Sequence, residues 1–265
     1  MDMLSDIPYS VPDKNKVDPY RTFDFYPSRG PEPRPLLCFV HGGAWRSEDK
    51  SDHSTLARRL VESTGFPVVV PNYRLSAKDR VFHHPGHTED VLEFLHFILT
   101  WHQDGVVFDR SKFYLIGHSC SAHMLSSIIL DSSHVTPTLT PKDDLLAAVQ
   151  GVVFSEGIYD IQKLLGTFPP YRDWFIADAF GDRPTYDDVS VASYRPRAEH
   201  VRWLIIHSKN DTLVDTAQSE AMIDRLKATH PSSSVEQSLG EFEDEHDAIL
   251  LNPRYAQLIT EFVGA

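Results

Sequence analysis

From residue 36 onward the chain alternates short, almost wholly apolar runs with longer stretches in which apolar residues recur at every third or fourth position. Leu36-Leu37-Cys38-Phe39-Val40 and Phe66-Pro67-Val68-Val69-Val70 are too short for helices and rich in β-branched and aromatic side chains, so they read as buried strands. The same reading covers 113–116, 149–154 and 203–206, with a weaker final strand at 235–239. Helical spacing occupies 54–63, where Leu56, Leu60 and Val61 share a face, then 89–102, the stretch after Ser119, 216–229 and 253–263. Strands apolar throughout, separated by helices, predict a mostly parallel central sheet covered by helices, the α/β class.

Three segments depart from this rhythm. Residues 1–34, rich in Pro, Asp and Lys, read as a lead-in strand at 22–26 plus loop. Residues 131–144 are polar, carry Pro137 and Pro141, and read as a surface excursion. Residues 158–196, aromatic and proline-containing, read as a small helical cap inserted over one end of the sheet. No internal repeat or low-complexity tract is present.

At 265 residues with 41% apolar content, the chain suits one domain, 1–265, with an ample core. Its net charge of -13 argues against nucleic acid or an anionic membrane as partner, since both demand clustered cations. No window approaches the ~20 apolar residues of a membrane helix, and the N-terminus lacks a signal pattern, so a cytoplasmic location is expected. Two cysteines exclude a disulfide framework; Cys38 reads as a small buried hydrophobe.

The chemistry centres on Gly117-His118-Ser119-Cys120-Ser121, between a strand and a helix. A strand-to-helix turn of the Gly-x-Ser-x-Gly kind exposes a nucleophilic serine, and its flanking positions must be small. Gly117 satisfies this, whereas Ser121 stands where glycine is usual and is expected to overpack the turn by about 1–3 kcal/mol. By itself the motif also fits a helix N-cap. A second signal, His41-Gly42-Gly43-Ala44-Trp45, ends the first strand of the alternation. Its glycine N–H groups, with that of Cys120, suit an oxyanion hole, where each donor contributes roughly 3 kcal/mol to the transition state.

A serine nucleophile needs a base and the base an orienting acid, in the chain order Ser, acid, His. Asp211 emerges beyond the strand at 203–206, while its rival Asp215 better suits a helix cap. His246 follows the last strand and is the expected base; His230 reads as a surface capping residue. His83, His84 and His87 read as a solvated loop, with no second cluster at metal-ligand spacing, and His118 and His123 as wall residues without a proton-transfer role.

With these residues in place the chain resembles the α/β-hydrolase superfamily, and within it fungal kynurenine formamidase, related to hormone-sensitive-lipase-like esterases. The matching stretches are 41–45, 72–75, 84–98, 117–123, 157–161, 210–214 and 245–250, together with the cap sequence beginning at Glu156. The resemblance implies an arylformamidase that hydrolyses N-formyl-L-kynurenine to L-kynurenine and formate in tryptophan catabolism, without a cofactor or metal. Ser119, Asp211 and His246 would be the catalytic triad, Gly42, Gly43 and Cys120 the oxyanion hole, and Trp45, Tyr159 and Tyr171 the substrate-binding walls. A carboxylesterase for short-acyl or aryl esters is the alternative, and a non-catalytic ligand-binding protein on a hydrolase scaffold a third reading. The expected partner is a small-molecule substrate; a homodimer is left open.

Overall fold

The computed structural model describes residues 2–10, 17–28, 30–78, 81–231 and 234–264. Among them the strands form one sheet: β1 (Leu4–Pro8), β2 (Thr22–Tyr26), β3 (Pro35–Val40), β4 (Val68–Pro71), β5 (Asp109–His118), β6 (Val149–Ser155), β7 (Arg202–His207) and β8 (Val235–Leu239). Their spatial order is β1-β2-β4-β3-β5-β6-β7-β8. The first two joins are antiparallel and the rest parallel. β3 and β5 to β8 are therefore successive neighbours pointing the same way, so the turns that leave their carboxyl ends gather along one edge of the sheet.

Alternation along each strand divides the core in two. Leu36, Cys38 and Val40 of β3, with Leu115, Val152, Phe154, Trp203 and Ile205, bury against α2 (Gly86–Thr100), α3 (Cys120–Ile129), α4 (Asp143–Ala148) and α7 (Thr216–Lys227). Leu37, Phe39, Val68, Val70, Ile116, Val153 and Ile206 bury against α1 (Ser54–Thr64) and α8 (Pro253–Val263). The ends of these outer helices are encoded locally. Asn252 Oδ1 accepts the Arg254 N–H at 2.9 Å, with Pro253 at the first helical position, and Gly264 closes α8 at φ 73°.

Segment 158–196 carries α5 (Ile161–Thr167), a π-helical turn at Arg172–Ile176 and α6 (Ala177–Phe180). It lies over the carboxyl ends of the strands, where Tyr171, Trp174 and Phe175 share a cavity with Ser119. The histidine loop before α2 fastens it: His84 N–H donates to Ala179 O at 2.6 Å, and His83 Nδ1 lies 2.8 Å from Asp178 O. These histidines are thus not a solvated loop. His87 is fully buried, with Nε2 2.7 Å from Ser76 Oγ, and burial lowers its pKa to about 3.

Three further departures from the sequence reading have physical causes. β1 was hidden because only one side of an edge strand is packed, and its residues Leu-Ser-Asp-Ile-Pro show no apolar run. The segment 131–144 ends in the start of α4, whose Leu145 and Ala148 reach the core. His230 is buried rather than a surface cap, because the Trp203 indole N–H needs an acceptor and finds His230 Nε2 at 3.1 Å. Among the described residues no helix is long and apolar enough to cross a membrane.

Candidate active site

Ser119 sits between β5 and α3 with φ 58° and ψ -124°, a conformation unfavourable for any residue with a Cβ. The corner is over-determined by its neighbours: Ser119 N–H donates to Ser155 O at 3.0 Å, and Ser119 O accepts from Ala122 at 3.2 Å and Ile158 at 3.3 Å. Gly117 is required because a Cβ there would stand 3.0 Å from the Ala122 nitrogen and from Leu125 Cδ1. Ser121 does not overpack the turn. Its Oγ accepts the His118 N–H at 2.8 Å and faces the carbonyls of Val40 at 2.6 Å and His118 at 2.9 Å, donating to one of them. The hydroxyl ties the elbow to the end of β3, a role glycine could not fill.

The loop after β3 approaches from the neighbouring strand. Gly42 packs on the elbow, where a Cβ would meet Ser119 Cβ at 3.1 Å and His118 O at 3.2 Å. Gly43, at φ 87°, allows a turn in which its carbonyl accepts from Arg46 and Ser47; a Cβ would stand 2.1 Å from Ser47 O. Gly43 and Ala44 line the cavity. Cys120 opens α3, so its N–H belongs to the first turn, which has no intrahelical acceptor. Its thiol is fully buried, accepts the Trp45 N–H at 3.3 Å and is pushed up to about 12, chiefly by burial. Cys38 is likewise buried and free.

Asp211 and His246 meet as expected, with His246 Nδ1 2.8 Å from Asp211 Oδ2. The other carboxylate oxygen accepts the N–H groups of Leu213 at 2.8 Å and Val214 at 3.0 Å, which fixes the acid and favours its ionised form. Burial raises the Asp211 pKa, but His246 and these N–H groups outweigh it and hold it below the usual range. Asp215 stands at the N-cap of α7, where its side chain makes no capping bond. His118 and His123 have other partners. His118 bridges Ser155 Oγ at 3.1 Å and Asp247 Oδ1 at 3.2 Å, while His123 Nε2 lies 2.8 Å from Val189 O.

A second carboxylate, absent from the sequence reading, reaches the same histidine. Glu156 follows β6 at φ 51°, is fully buried, and places Oε2 3.2 Å from His246 Nδ1 without hydrogen-bond geometry. Burial pushes its pKa up to about 7, with the Asp211 charge adding to the rise against His246. Its position was the available signal: an acid directly after an apolar strand adjacent to the strand that presents Ser119.

Ser119, His246, Gly43, Ala44, Ile158, Tyr171, Trp174, Phe175 and Val214 line a cavity of about 200 Å³, with Glu48, Ser47, Leu213 and Asp247 completing it. Of the three expected aromatic walls only Tyr171 is there, its hydroxyl donating to Leu213 O at 3.0 Å. Trp45 and Tyr159 are fully buried instead. The turn at Trp45 (φ 58°) sends the indole beneath the cap against Phe180, 5.0 Å between centroids, and His123, at 5.5 Å. Tyr159 packs on Phe154. Trp174 and Phe175 supply the aromatic surface. Among the described residues, the donor groups close enough to share a metal ion are His41, Glu48 and His53, and His118, Glu156 and His246; the loop of His83, His84 and His87 is not one of them.

A mostly parallel sheet with a strained serine at the turn after β5, and an Asp–His pair from the turns after β7 and β8, defines an α/β-hydrolase. The chain belongs to the BD-FAE family, whose pattern matches residues 23–226. It is 31% identical over 236 residues to a kynurenine formamidase of Meyerozyma guilliermondii, covering 86% of this chain and 84% of that one. A kynurenine formamidase of Scheffersomyces stipitis is 27% identical over 69% of this chain and 74% of its own. In fold it is similar to a truncated carbohydrate esterase from gut microbiota, with a TM-score of 0.77, 17% identity, and coverage of 100% of this chain and 95% of that one. The protein is a hydrolase of the α/β-hydrolase type.

Proposed function

We propose that the chain is a serine hydrolase that cleaves N-formyl-L-kynurenine to L-kynurenine and formate. The observation that carries the reading is the junction of Ser119 and His246 in one small, aromatic-walled cavity, with His246 held from behind by Asp211. The similarity to named kynurenine formamidases supports the substrate. At about 200 Å³ the cavity falls below the ~300–1,000 Å³ usual for drug-sized ligands, which suits a one-carbon acyl group and a single aryl ring.

In this mechanism Ser119 Oγ attacks the formyl carbon while its proton passes to His246 Nε2, and Asp211 keeps the proton on Nδ1. The oxyanion is held by N–H groups of the Gly42-Gly43 turn and of Cys120. Breakdown of the C–N bond returns the proton from Nε2 to the departing arylamine nitrogen. Water, activated by His246, then releases formate from Ser119. Tyr171, Trp174 and Phe175 receive the aryl leaving group.

Steady-state hydrolysis of N-formyl-L-kynurenine, followed by kynurenine absorbance, tests this against a Ser119→Ala variant. Fast turnover that disappears in the variant is expected. Turnover confined to short nitrophenyl esters would replace the substrate assignment with the carboxylesterase alternative.

A further inference from the structure

The carboxylate of Glu156 is costly where it stands. Its backbone has a positive φ of 51°, a region that costs a non-glycine residue about 1 kcal/mol or more, and its side chain is fully removed from water. A structural role accounts for little of this. Oε1 accepts one long hydrogen bond, from Ser208 N–H at 3.3 Å, which a glutamine would accept as well, and Oε2 has no hydrogen-bond partner. That orphaned oxygen instead lies 3.2 Å from His246 Nδ1, the atom that Asp211 Oδ2 approaches to 2.8 Å. The placement follows from topology: β6 lies between β5, which presents Ser119, and β7, which presents Asp211, so the residue following β6 faces the gap between nucleophile and acid.

We propose that Glu156 is a second positioning acid for His246, sharing Nδ1–H with Asp211 and able to hold the imidazole in its reactive tautomer when Asp211 cannot. The proposal rests on the serine-hydrolase reading above. No additional bond is made or broken. During attack the proton from Ser119 moves to Nε2, Nδ1–H remains, and the imidazolium faces two carboxylates in place of one.

The groups facing the pair are few. The ring of His118 of β5 lies 4.7 Å from that of His246, tilted by 47°, and His118 is itself bonded to Asp247. His207 of β7 lies 3.6 Å from Asp211, and Tyr255 of α8 reaches the neighbouring Ser155. Burial lowers both His118 and His207 below the ordinary histidine value, which disfavours a positive charge on either. Glu156 titrates near neutrality for the reasons already given, so its share in the pair grows as pH rises through about 7.

The test uses a nitrophenyl ester and N-formyl-L-kynurenine with the full chain and its Asp211→Asn, Glu156→Gln, double and Ser119→Ala variants. Where an enzyme has a single orienting acid, changing it to the amide costs about 10⁴ in kcat. With Glu156 in reserve, Asp211→Asn should lose only about 10², the double about 10⁴, and Glu156→Gln several-fold in kcat with KM unchanged. The acid limb of the Glu156→Gln profile should move down by about one pH unit, since a negative neighbour of the base is gone. Should Glu156→Gln fail to fold, Asp211→Asn alone decides by the size of its loss, about 10² with a second orienting acid in place and about 10⁴ without one. A loss of about 10⁴ in Asp211→Asn, equal to that of the double variant, would overturn the proposal. Persistent turnover in Ser119→Ala would instead remove the serine mechanism on which it rests.

Discussion

Replacing Ser121 by alanine takes a single oxygen out of the tightest corner of the fold, and its neighbours set the cost. The hydroxyl accepts the His118 N–H at 2.8 Å and lies 2.6 Å from the carbonyl of Val40, all in residues removed from water. A made hydrogen bond contributes about 0.5–1.5 kcal/mol net, and a buried group stripped of its partner costs about 1–3 kcal/mol. With a donor and an acceptor both affected, Ser121→Ala should destabilise the protein by about 2–4 kcal/mol. Ser121→Gly should cost more, by the ~1 kcal/mol that glycine forfeits within a helix, because the position lies in the first turn of α3. Urea unfolding at pH 7 provides the assay: the midpoints of both variants should fall while the slope stays that of the parent. If the serine merely overfilled the glycine site, the order would reverse and Ser121→Gly would unfold at higher urea than the parent. That outcome, or an alanine variant within about 0.5 kcal/mol of the parent, would refute the hydrogen-bond argument.

Stability should also fall in mild acid. Burial holds His41 and His123 at about 4 and His87 at about 3, so the unfolded chain binds the extra protons below pH 6.5. Stability is therefore fully present above that value and lost as pH drops, by roughly 2 kcal/mol at pH 5 for each histidine held at about 4; melting temperatures at pH 7 and pH 5 should differ accordingly. Gly43→Ala should cut kcat by about 10² or more, as its Cβ would collide with the Ser47 carbonyl and displace the oxyanion turn, and an unchanged kcat would count against that turn's role. Trp174→Ala should raise KM more than it lowers kcat, because Trp174 is half exposed at the cavity wall and remote from the proton transfers; a selective loss of kcat would contradict this.

The strands of the sheet interior were legible because burial on both faces leaves a plain apolar run, and β8 and α8 fall where the pattern places them. Ser119, Asp211 and His246 were legible for a related reason: Ser119 and Asp211 lie just beyond such runs, His246 follows the weaker strand β8 by a short loop, and parallel strands bring their carboxyl ends together. Orientation was not legible. Whether Trp45 and Tyr159 face a cavity or the core depends on single backbone turns, such as φ 58° at Trp45, that leave no periodic trace. Glu156 was hidden similarly, since one acid in Phe-Ser-Glu-Gly carries no motif until β6 is known to lie between β5 and β7. His230 was misjudged because its Trp203 partner lies 27 residues earlier in the chain.

The order of strands in the sheet has a bearing on how this protein is made in a cell. The positions gathered at its active edge span the chain from Gly43 to His246, and the histidine arrives only after β8. On the proposed mechanism a ribosome therefore exposes the serine elbow long before it exposes His246, and the growing polypeptide would have no machinery to attack esters or amides around it until the last strand docks. If the proposed mechanism holds, messages truncated anywhere between Ser119 and His246 would yield inert protein, so activity in a cell extract would report translation at least through His246 and docking of the last strand together.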